Sequence, residues 1–451
     1  MKPDADLAGL DKAHITRRAD HAISRKNISH NALKVLYKLG DGGYAAYLVG
    51  GGVRDLLLGY HPKDFDIATN ATPEQIKKLF RNARIIGRRF KIIHIRFGRE
   101  IIEVTTFRAH HNPKNEFEES ASRRQMRELN SAHSSTGMIL RDNVYGNIDE
   151  DALRRDFTVN ALYYTVRDFE LLDFSGGIAD LHERLIRVIG DPVERYKEDP
   201  VRMLRALRFS AKLNFALEEN TRRPIDELAF LLESISPARL FDETLKLLTG
   251  GHAEKTFALL KQYKVGRYLF PDTLDALERA SSSTASLLDL ALCNTDSRLA
   301  EGKSVTPAFL YAALLWPVFQ KKLAQQRAAD QSQMQSYQQI ANSVLLEQVN
   351  YTAVPKRFSS AAREIWELQL RLARRNRRSI ESAFAHPRFR AAYDFLLLRE
   401  DAGEQLNGLG QWWTDFQCGD AKHKADMIGA VSQRKKSRRR RTRPKKSGGT
   451  E

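Results

Sequence analysis

Cysteine is nearly absent: the 451 residues contain two, Cys293 and Cys418. That excludes a disulfide-stapled scaffold and a cysteine-built zinc site, and it fits a reducing compartment such as the cytoplasm. Long apolar runs are also missing. The most apolar stretch, residues 307–319, is interrupted by Pro317, whereas a membrane span needs about twenty apolar residues. The first twenty residues carry charge throughout and no apolar centre, so they do not read as a secretory signal. There is no G-x-x-x-x-G-K-S/T phosphate loop, no H-E-x-x-H and no His-Asp dipeptide. P-loop, metalloprotease and His-Asp phosphohydrolase chemistry therefore lack support. His110-His111 could ligate a metal, but the pair opens a polar loop. Acidic residues are too few to balance the basic ones, 56 against 73, a formal charge of +17. The last twenty residues hold ten basic residues and one acid, yet the rest of the chain still carries +8. Such an excess points to a polyanionic partner, either nucleic acid or an anionic membrane surface.

What the chain does have is enough apolar material, 42%, to build real cores, and its length suggests about three domains. Residues 1–20 read as a loose leader. From 21 to about 108 helix and strand alternate. A helix is expected over 32–39 and a strand over 44–49, broken by Gly50-Gly51-Gly52. A short helix over 53–58 ends at Gly59, and a strand follows over 65–67. Thr72-Pro73-Glu74-Gln75 carries an N-cap, a first-turn proline and a capping-box Gln, so a helix should run to about 81. Residues 92–97 and 100–107 read as a hairpin turning at Gly98-Arg99. Residues 109–137 are polar and aperiodic, a loop. From 150 onward apolar residues recur at helical spacing over 151–166, 200–213, 225–232, 239–248, 253–263, 340–350, 360–375 and 379–398. Residues 281–286 and 324–336 read as loop or exposed helix. From about 430 the chain lacks apolar residues and is expected to stay disordered.

The chemistry concentrates in three segments. In the first, Leu48-Val49-Gly50-Gly51-Gly52-Val53-Arg54-Asp55 is followed by Asp64-Phe65-Asp66. Glycines between a strand and a helix let backbone N–H groups approach a phosphate. On a strand, Asp64 and Asp66 would face the same way with Phe65 turned to the core. Two neighbouring carboxylates repel unless a cation sits between them, and magnesium with triphosphate oxygens suits an all-oxygen site. The bland alternative is a solvated strand edge. Glu103, an acid between Ile102 and Val104, is a candidate third carboxylate for a two-metal site; the alternative is an outward-facing strand residue. In the second segment, EDALRRDFTVNAL (150–162), Asp156 and Asn160 would share a helix face while Arg154 and Arg155 offer forks for phosphate; a surface ion-pair helix would look similar. In the third, EDPVRMLRALRF (198–209), Asp199-Pro200 opens a helix. Arg202, Arg205 and Arg208 then stack like charges, as an anionic ligand or a solvated basic face would allow.

These segments, in this order and over about residues 22–415, resemble the class II nucleotidyltransferases of the polymerase-β superfamily, which comprise bacterial poly(A) polymerases and tRNA CCA-adding enzymes. Residues 85–95 (IIGRRFKIIHI), the segment HPRFRAAYDFLLLR and the Arg-rich C-terminus look like the poly(A) polymerase branch. The resemblance implies an α+β protein. A polymerase-β-like nucleotidyltransferase head with a small five-stranded mixed sheet (21–150) would precede helical neck (151–225), body (226–340) and leg (341–415) domains and a disordered basic tail (416–451). It implies Asp64, Asp66 and Asp156 as the catalytic carboxylates. By the same resemblance Asp64 and Asp66 would hold magnesium, the strand position of Glu103 making it the candidate third ligand of a two-metal site, and Asp156 would lie near a ribose or substrate hydroxyl. Gly50, Gly51, Arg54, Arg155, Asp199, Arg202 and Arg205 would bind the nucleotide, with Asp199 and Arg202 offering an acceptor and a donor to a base edge. The expected reaction is AMP transfer from ATP to RNA 3′ ends by a cytoplasmic monomer. RNA-decay proteins or an RNA chaperone would be its partners. A CCA-adding enzyme and a noncatalytic RNA-binding scaffold are the alternatives.

Overall fold

The computed structural model describes residues 10–87, 91–109, 131–133, 139–142, 144–326 and 333–441. His110-His111, most of the expected 109–137 loop, residues 88–90 and residues 442–451 of the tail lie outside the described residues. The chain divides into two compact units, Met1–Leu232 and Glu233–Glu451.

The N-terminal unit is built on a mixed sheet. Its elements are β1 (His14–Thr16), α1 (His30–Asp41), β2 (Ala46–Val49), α2 (Gly51–Leu57), β3 (Asp66–Thr69), α3 (Pro73–Leu79), β4 (Ala83–Ile86), β5 (Ile92–Phe97) and β6 (Glu100–Thr106). A separate hairpin, β7 (Ser131–His133) and β8 (Ile139–Asp142), follows, then α4 (Ile148–Arg154), β9 (Leu162–Tyr164) and β10 (Leu171–Asp173). The strand order is β1-β10-β9-β2-β3-β6-β5-β4, with β3 and β6 parallel and the other neighbours antiparallel. Local signals work as read at α3, where Thr72 and Gln75 form the reciprocal capping box and Pro73 opens the helix. On β5 and β6 the alternation is clean: Ile93, Ile95, Ile102 and Val104 are buried, while His94, Arg96, Ile101 and Glu103 are not. Helix α1 buries Ala32, Val35, Leu36 and Leu39 against β2, β3 and β6, and α3 lies on β4 and β5.

Several expectations are corrected here. The sheet has eight strands rather than five. Part of the supposed leader contributes edge strand β1, with His14 opposite Asp173. Residues 151–166 are not one helix: α4 stops at Arg154, Arg155 is extended (ψ 165°), and Leu162-Tyr163-Tyr164 form a strand buried along its length. A strand covered on both faces has no polar alternation to distinguish it from a helix core. The short helix starts at Gly51 rather than Val53, because the positive φ of 72° at Gly50 completes the turn. After β10 come α5 (Gly177–Glu183), α6 (Pro192–Glu198) and α7 (Val201–Leu213).

The C-terminal unit is helical. Trp316 and Trp366 stack on either side of Phe319, at 5.3 and 4.9 Å between ring centroids, and Trp366 Nε1 donates to the Ala312 carbonyl at 3.1 Å. The apolar 307–319 run divides into helices Pro307–Leu314 and Trp316–Gln326. Residue 340, the expected body–leg boundary, lies inside helix Gln333–Gln348. The 379–398 helix is two, Arg377–Phe384 and Phe389–Asp401, parted around Pro387. Helices Leu409–Cys418 and Ala421–Arg441 occupy the described part of the C-terminal segment. Met427 and Ile428 pack on a cluster containing Trp413 and Phe416. That anchor, with the good helix propensity of Lys, Arg and Gln, carries the helix onward. Among the described residues no helix is long and apolar enough to cross a membrane.

Candidate active site

Strand β2 ends at Gly50, and α2 begins one residue later. Gly50 is required there by its backbone, φ 72° and ψ −141°, a region closed to residues with a Cβ. The place a Cβ would take lies 3.7 Å from Asp66 Oδ2 and 3.7 Å from Arg155 Nη1. The glycine turn, one carboxylate and one guanidinium therefore meet at a point.

Asp66 is the first residue of β3, opposite Val49 of β2 and Glu103 of β6. Its carboxyl is pushed up to about 6, first by burial and then by Glu103 and Asp64, against the opposing pull of Arg155. Asp64 is exposed and precedes the strand. The expectation that both aspartates are strand residues is therefore corrected. The ladder begins at Asp66 because Gly50 turns β2 away before it can pair further. The two carboxylates still share a field, as the influence of Asp64 on Asp66 shows, and Phe65 is buried as expected. Glu103 faces the same side as Asp66 and meets His94, Oε1 to Nε2, at 3.2 Å.

Arg155 is locked from behind. Its Nε donates to the Tyr163 hydroxyl at 2.8 Å and its Nη2 to Asp151 Oδ2 at 3.1 Å, while the Tyr163 hydroxyl donates to Asp151 Oδ2 at 2.6 Å. Burial alone would weaken the Arg155 charge, but Tyr163 and Asp151 more than offset it. Asp151 and Tyr163 were not singled out in the sequence. The Asp151–Arg155 spacing of four was a visible signal, whereas Tyr163 needed the strand that the helical reading concealed.

A second string of contacts starts at Gly51, whose Cβ position would lie 3.3 Å from Arg54 Nη2. Arg54 is buried; it holds Asp55 through Nε at 2.8 Å and the Asn160 side-chain carbonyl through Nη1. Asn160 Nδ2 donates to Asp156 Oδ1 at 3.4 Å, and Asp156 Oδ2 meets Arg205 Nη2 at 2.6 Å. The Asp156–Asn160 contact survives without the continuous helix from which it was inferred. Burial by itself would raise the Asp156 carboxyl; Arg205, Asn160, Arg202 and the Phe157 N–H together hold it below the usual carboxylate range. Arg202 is also buried; its Nη1 donates to Glu198 Oε2 at 2.8 Å and to the Arg195 carbonyl at 2.7 Å. Arg195 ties α6 to the end of α4 by donating to the Arg154 and Arg155 carbonyls at 2.6 and 2.7 Å. Arg202 and Arg205 thus have internal acids, Glu198 and Asp156. Asp199 lies between α6 and α7, accepting from the Val201 N–H at 3.4 Å.

Among the described residues, no three carboxylate, imidazole or thiol groups enclose one point. A dedicated all-protein cage is therefore not what Asp64 and Asp66 provide. Magnesium is typically bound by one or two carboxylates, several waters and the phosphates of a substrate. An acid whose proton is held up by burial and by neighbouring acids, beside an open glycine turn, fits that mode. A cavity of about 560 Å³ lined in part by Arg187, Asp191, Glu218 and Arg223 contains none of these groups.

The sequence model of the poly A polymerase head domain matches residues 46–187, which hold Asp64, Asp66, Glu103, Asp151 and Asp156. The models of the probable RNA and SrmB-binding site of polymerase A and of the polymerase A arginine-rich C-terminus match residues 214–277 and 329–447. The chain is 48% identical over 439 residues to poly(A) polymerase I of Salmonella typhimurium, covering 96% of this chain and 92% of that protein. It is 39% identical to the CCA-adding enzyme of Lactobacillus helveticus over 228 residues, 51% of this chain and 52% of the other. A solved tRNA-processing enzyme in an apo form shares the fold, with a TM-score of 0.55 at 21% identity over 88% of this chain and 99% of that one. With the 48% identity to poly(A) polymerase I extending over nearly all of the chain, and the sequence match to the Lactobacillus helveticus CCA-adding enzyme over half of it, the chain belongs to the poly(A) polymerase family of nucleotidyltransferases.

Proposed function

We propose that the chain transfers AMP from ATP to the 3′-hydroxyl of RNA without a template, releasing pyrophosphate. The observation that carries this reading is the meeting of Gly50, Asp66 and Arg155, with Asp64 and Glu103 beside them, in a chain of this family. Asp64 and Asp66 would hold magnesium, with Glu103 as the third acid. When bound, the metal supplies Lewis-acid neutralisation of the triphosphate and lowers the pKa of the attacking hydroxyl. Arg155, fixed by Asp151 and Tyr163, presents Nη1 to phosphate at the turn. The first N–H groups of α2, beginning with Gly51, have no partner within the helix and face the same turn. Arg54 braces that turn against Asn160 and Asp156, so that Asp156 and Arg205 can meet the ribose. Asp199 and the guanidinium of Arg202, held by Glu198, are the proposed readers of the adenine edge. Residues 214–277 and the basic C-terminal segment would grip RNA, and a protein of the RNA-decay machinery or an RNA chaperone would dock there. We place the reaction in the cytoplasm.

The test is extension of an unstructured RNA with one nucleoside triphosphate at a time. Long tails from ATP alone are expected. Growth confined to tRNA and ending after C, C and A would instead identify a CCA-adding enzyme. No incorporation from any triphosphate would leave a noncatalytic RNA-binding scaffold.

A further inference from the structure

Four strands place one residue each in a single row on one face of the sheet. Asp66 is in register with Glu103, Glu103 with His94, and His94 with Arg84. Residues in register point to the same side. In the other direction the row continues to Val49, Tyr163 and Leu172, where Ile148 and Ala152 of α4 cover it. Asp66 therefore stands where the covered half of this face ends and the open half begins. The open half is Glu103, His94 and Arg84, with Asn82 and Arg96 as the next pair in the β4–β5 direction. At 4.7–4.9 Å per strand, Asp66 to Arg84 spans about 14 Å.

Charge changes sign along that span. Next to the turn are carboxylates; at the far edge Arg81, Arg84 and Arg96, with Asn82, Ala83 and Gly98, line a depression of about 480 Å³. All three arginines are exposed. Among the described residues, no carboxylate pairs with any of them. Arg96 spends one donor, Nε, on the Gly98 carbonyl at 3.0 Å. Asn82 Nδ2 donates to the Arg96 carbonyl at 2.7 Å and ties the floor together. Three like charges converging without an acid are unfavourable alone and favourable around a phosphate.

We infer that Arg81, Arg84 and Arg96 form a phosphodiester site for the acceptor RNA, a few nucleotides from its 3′ end. This rests on the reading that Asp64 and Asp66 receive that end. A strand whose terminal hydroxyl lies at Asp66 and Glu103 crosses His94 and delivers its backbone to the arginine edge along one uninterrupted face. The site reads no base, as a sequence-independent tail must be gripped. An acidic protein segment would also suit three arginines, but it has no reason to share a face with the carboxylate pair.

The experiment uses the full chain with Arg81, Arg84 and Arg96 all changed to Gln, and a second variant with all three changed to Lys. RNA binding is measured against salt, and AMP incorporation against RNA and against ATP. The Gln variant should show an RNA KM raised about tenfold or more, with the ATP KM little changed. The slope of log affinity against log salt should fall by about 0.7, the share of one phosphate contact on a single strand. The Lys variant, which keeps the charge, should keep the slope. A primer with one neutral methylphosphonate linkage near its 3′ end should bind the wild type less tightly and the Gln variant no more weakly than a normal primer does. An unchanged RNA KM and salt slope in the Gln variant, or losses from variant and neutral linkage that simply add, would overturn the inference. Failure of the underlying reading looks different: the unaltered protein would incorporate no AMP.

Discussion

At Asp66, burial and the acids Glu103 and Asp64 keep a proton on the carboxyl up to about 6, two units above its ordinary value. The folded, ion-free chain therefore binds more protons than the unfolded chain between about pH 4 and 6. Its stability should fall as pH rises through that window. Asp66→Asn should remove this slope, raise ion-free stability at pH 7 by about 1–2 kcal/mol, and lower AMP incorporation by a factor of roughly 10³ or more; urea unfolding across pH and initial rates check both. Asp156 has the opposite sign. Its carboxyl is held low by Arg205 and Asn160 despite burial, so its contribution is complete above about pH 4 and is lost as pH falls through its depressed value. Asp156→Asn should cost about 1–3 kcal/mol at pH 7, and the gap from wild type should close in acid. Tyr163→Phe removes the hydroxyl that bridges Arg155 and Asp151. A raised ATP KM with turnover less affected is expected if Arg155 binds phosphate in the ground state as well as the transition state.

Among the elements, the junction of β2 and α2 tolerates little change at Gly50. Gly50→Ala puts a Cβ at φ 72° and should cost about 1–2 kcal/mol from backbone strain alone, measurable by urea unfolding; the bulk added beside Asp66 and Arg155 should also reduce activity. The glycine turn, the capping box of α3 and the β5–β6 hairpin were legible because each rests on short-range rules of glycine, proline and period two. Strand β9 was not legible. Leu162, Tyr163 and Tyr164 are covered on both faces, and their apolar run copies a helix core, which concealed both the eight-stranded sheet and the support of Arg155 by Tyr163. Asp64 was misplaced for a related reason: strand spacing alone does not say where the partner strand stops. The partners of Arg202 and Arg205 were illegible because stacked arginines look alike whether their acids come from substrate or from Glu198 and Asp156. The helix Ala421–Arg441 was missed because its anchor, Met427 and Ile428, precedes the charged run that dominated the composition.

For the molecule as a whole, the net charge of +17 predicts that RNA binding weakens steeply with salt. Removing residues 432–451, which carry ten basic residues and one acid, should weaken RNA binding and flatten its salt slope while AMP incorporation stays measurable. An unchanged slope would assign that segment to another partner. Both grips matter only if a nucleotide and its cation gather at the turn between β2 and α2. The most direct measurement is Mn²⁺ binding, by electron paramagnetic resonance, with a nonhydrolysable ATP analogue present. The unaltered protein should bind Mn²⁺ tightly only with the analogue, and Asp64→Ala/Asp66→Ala should lose that binding while remaining folded. Equal nucleotide-dependent Mn²⁺ binding by the double variant would contradict the account.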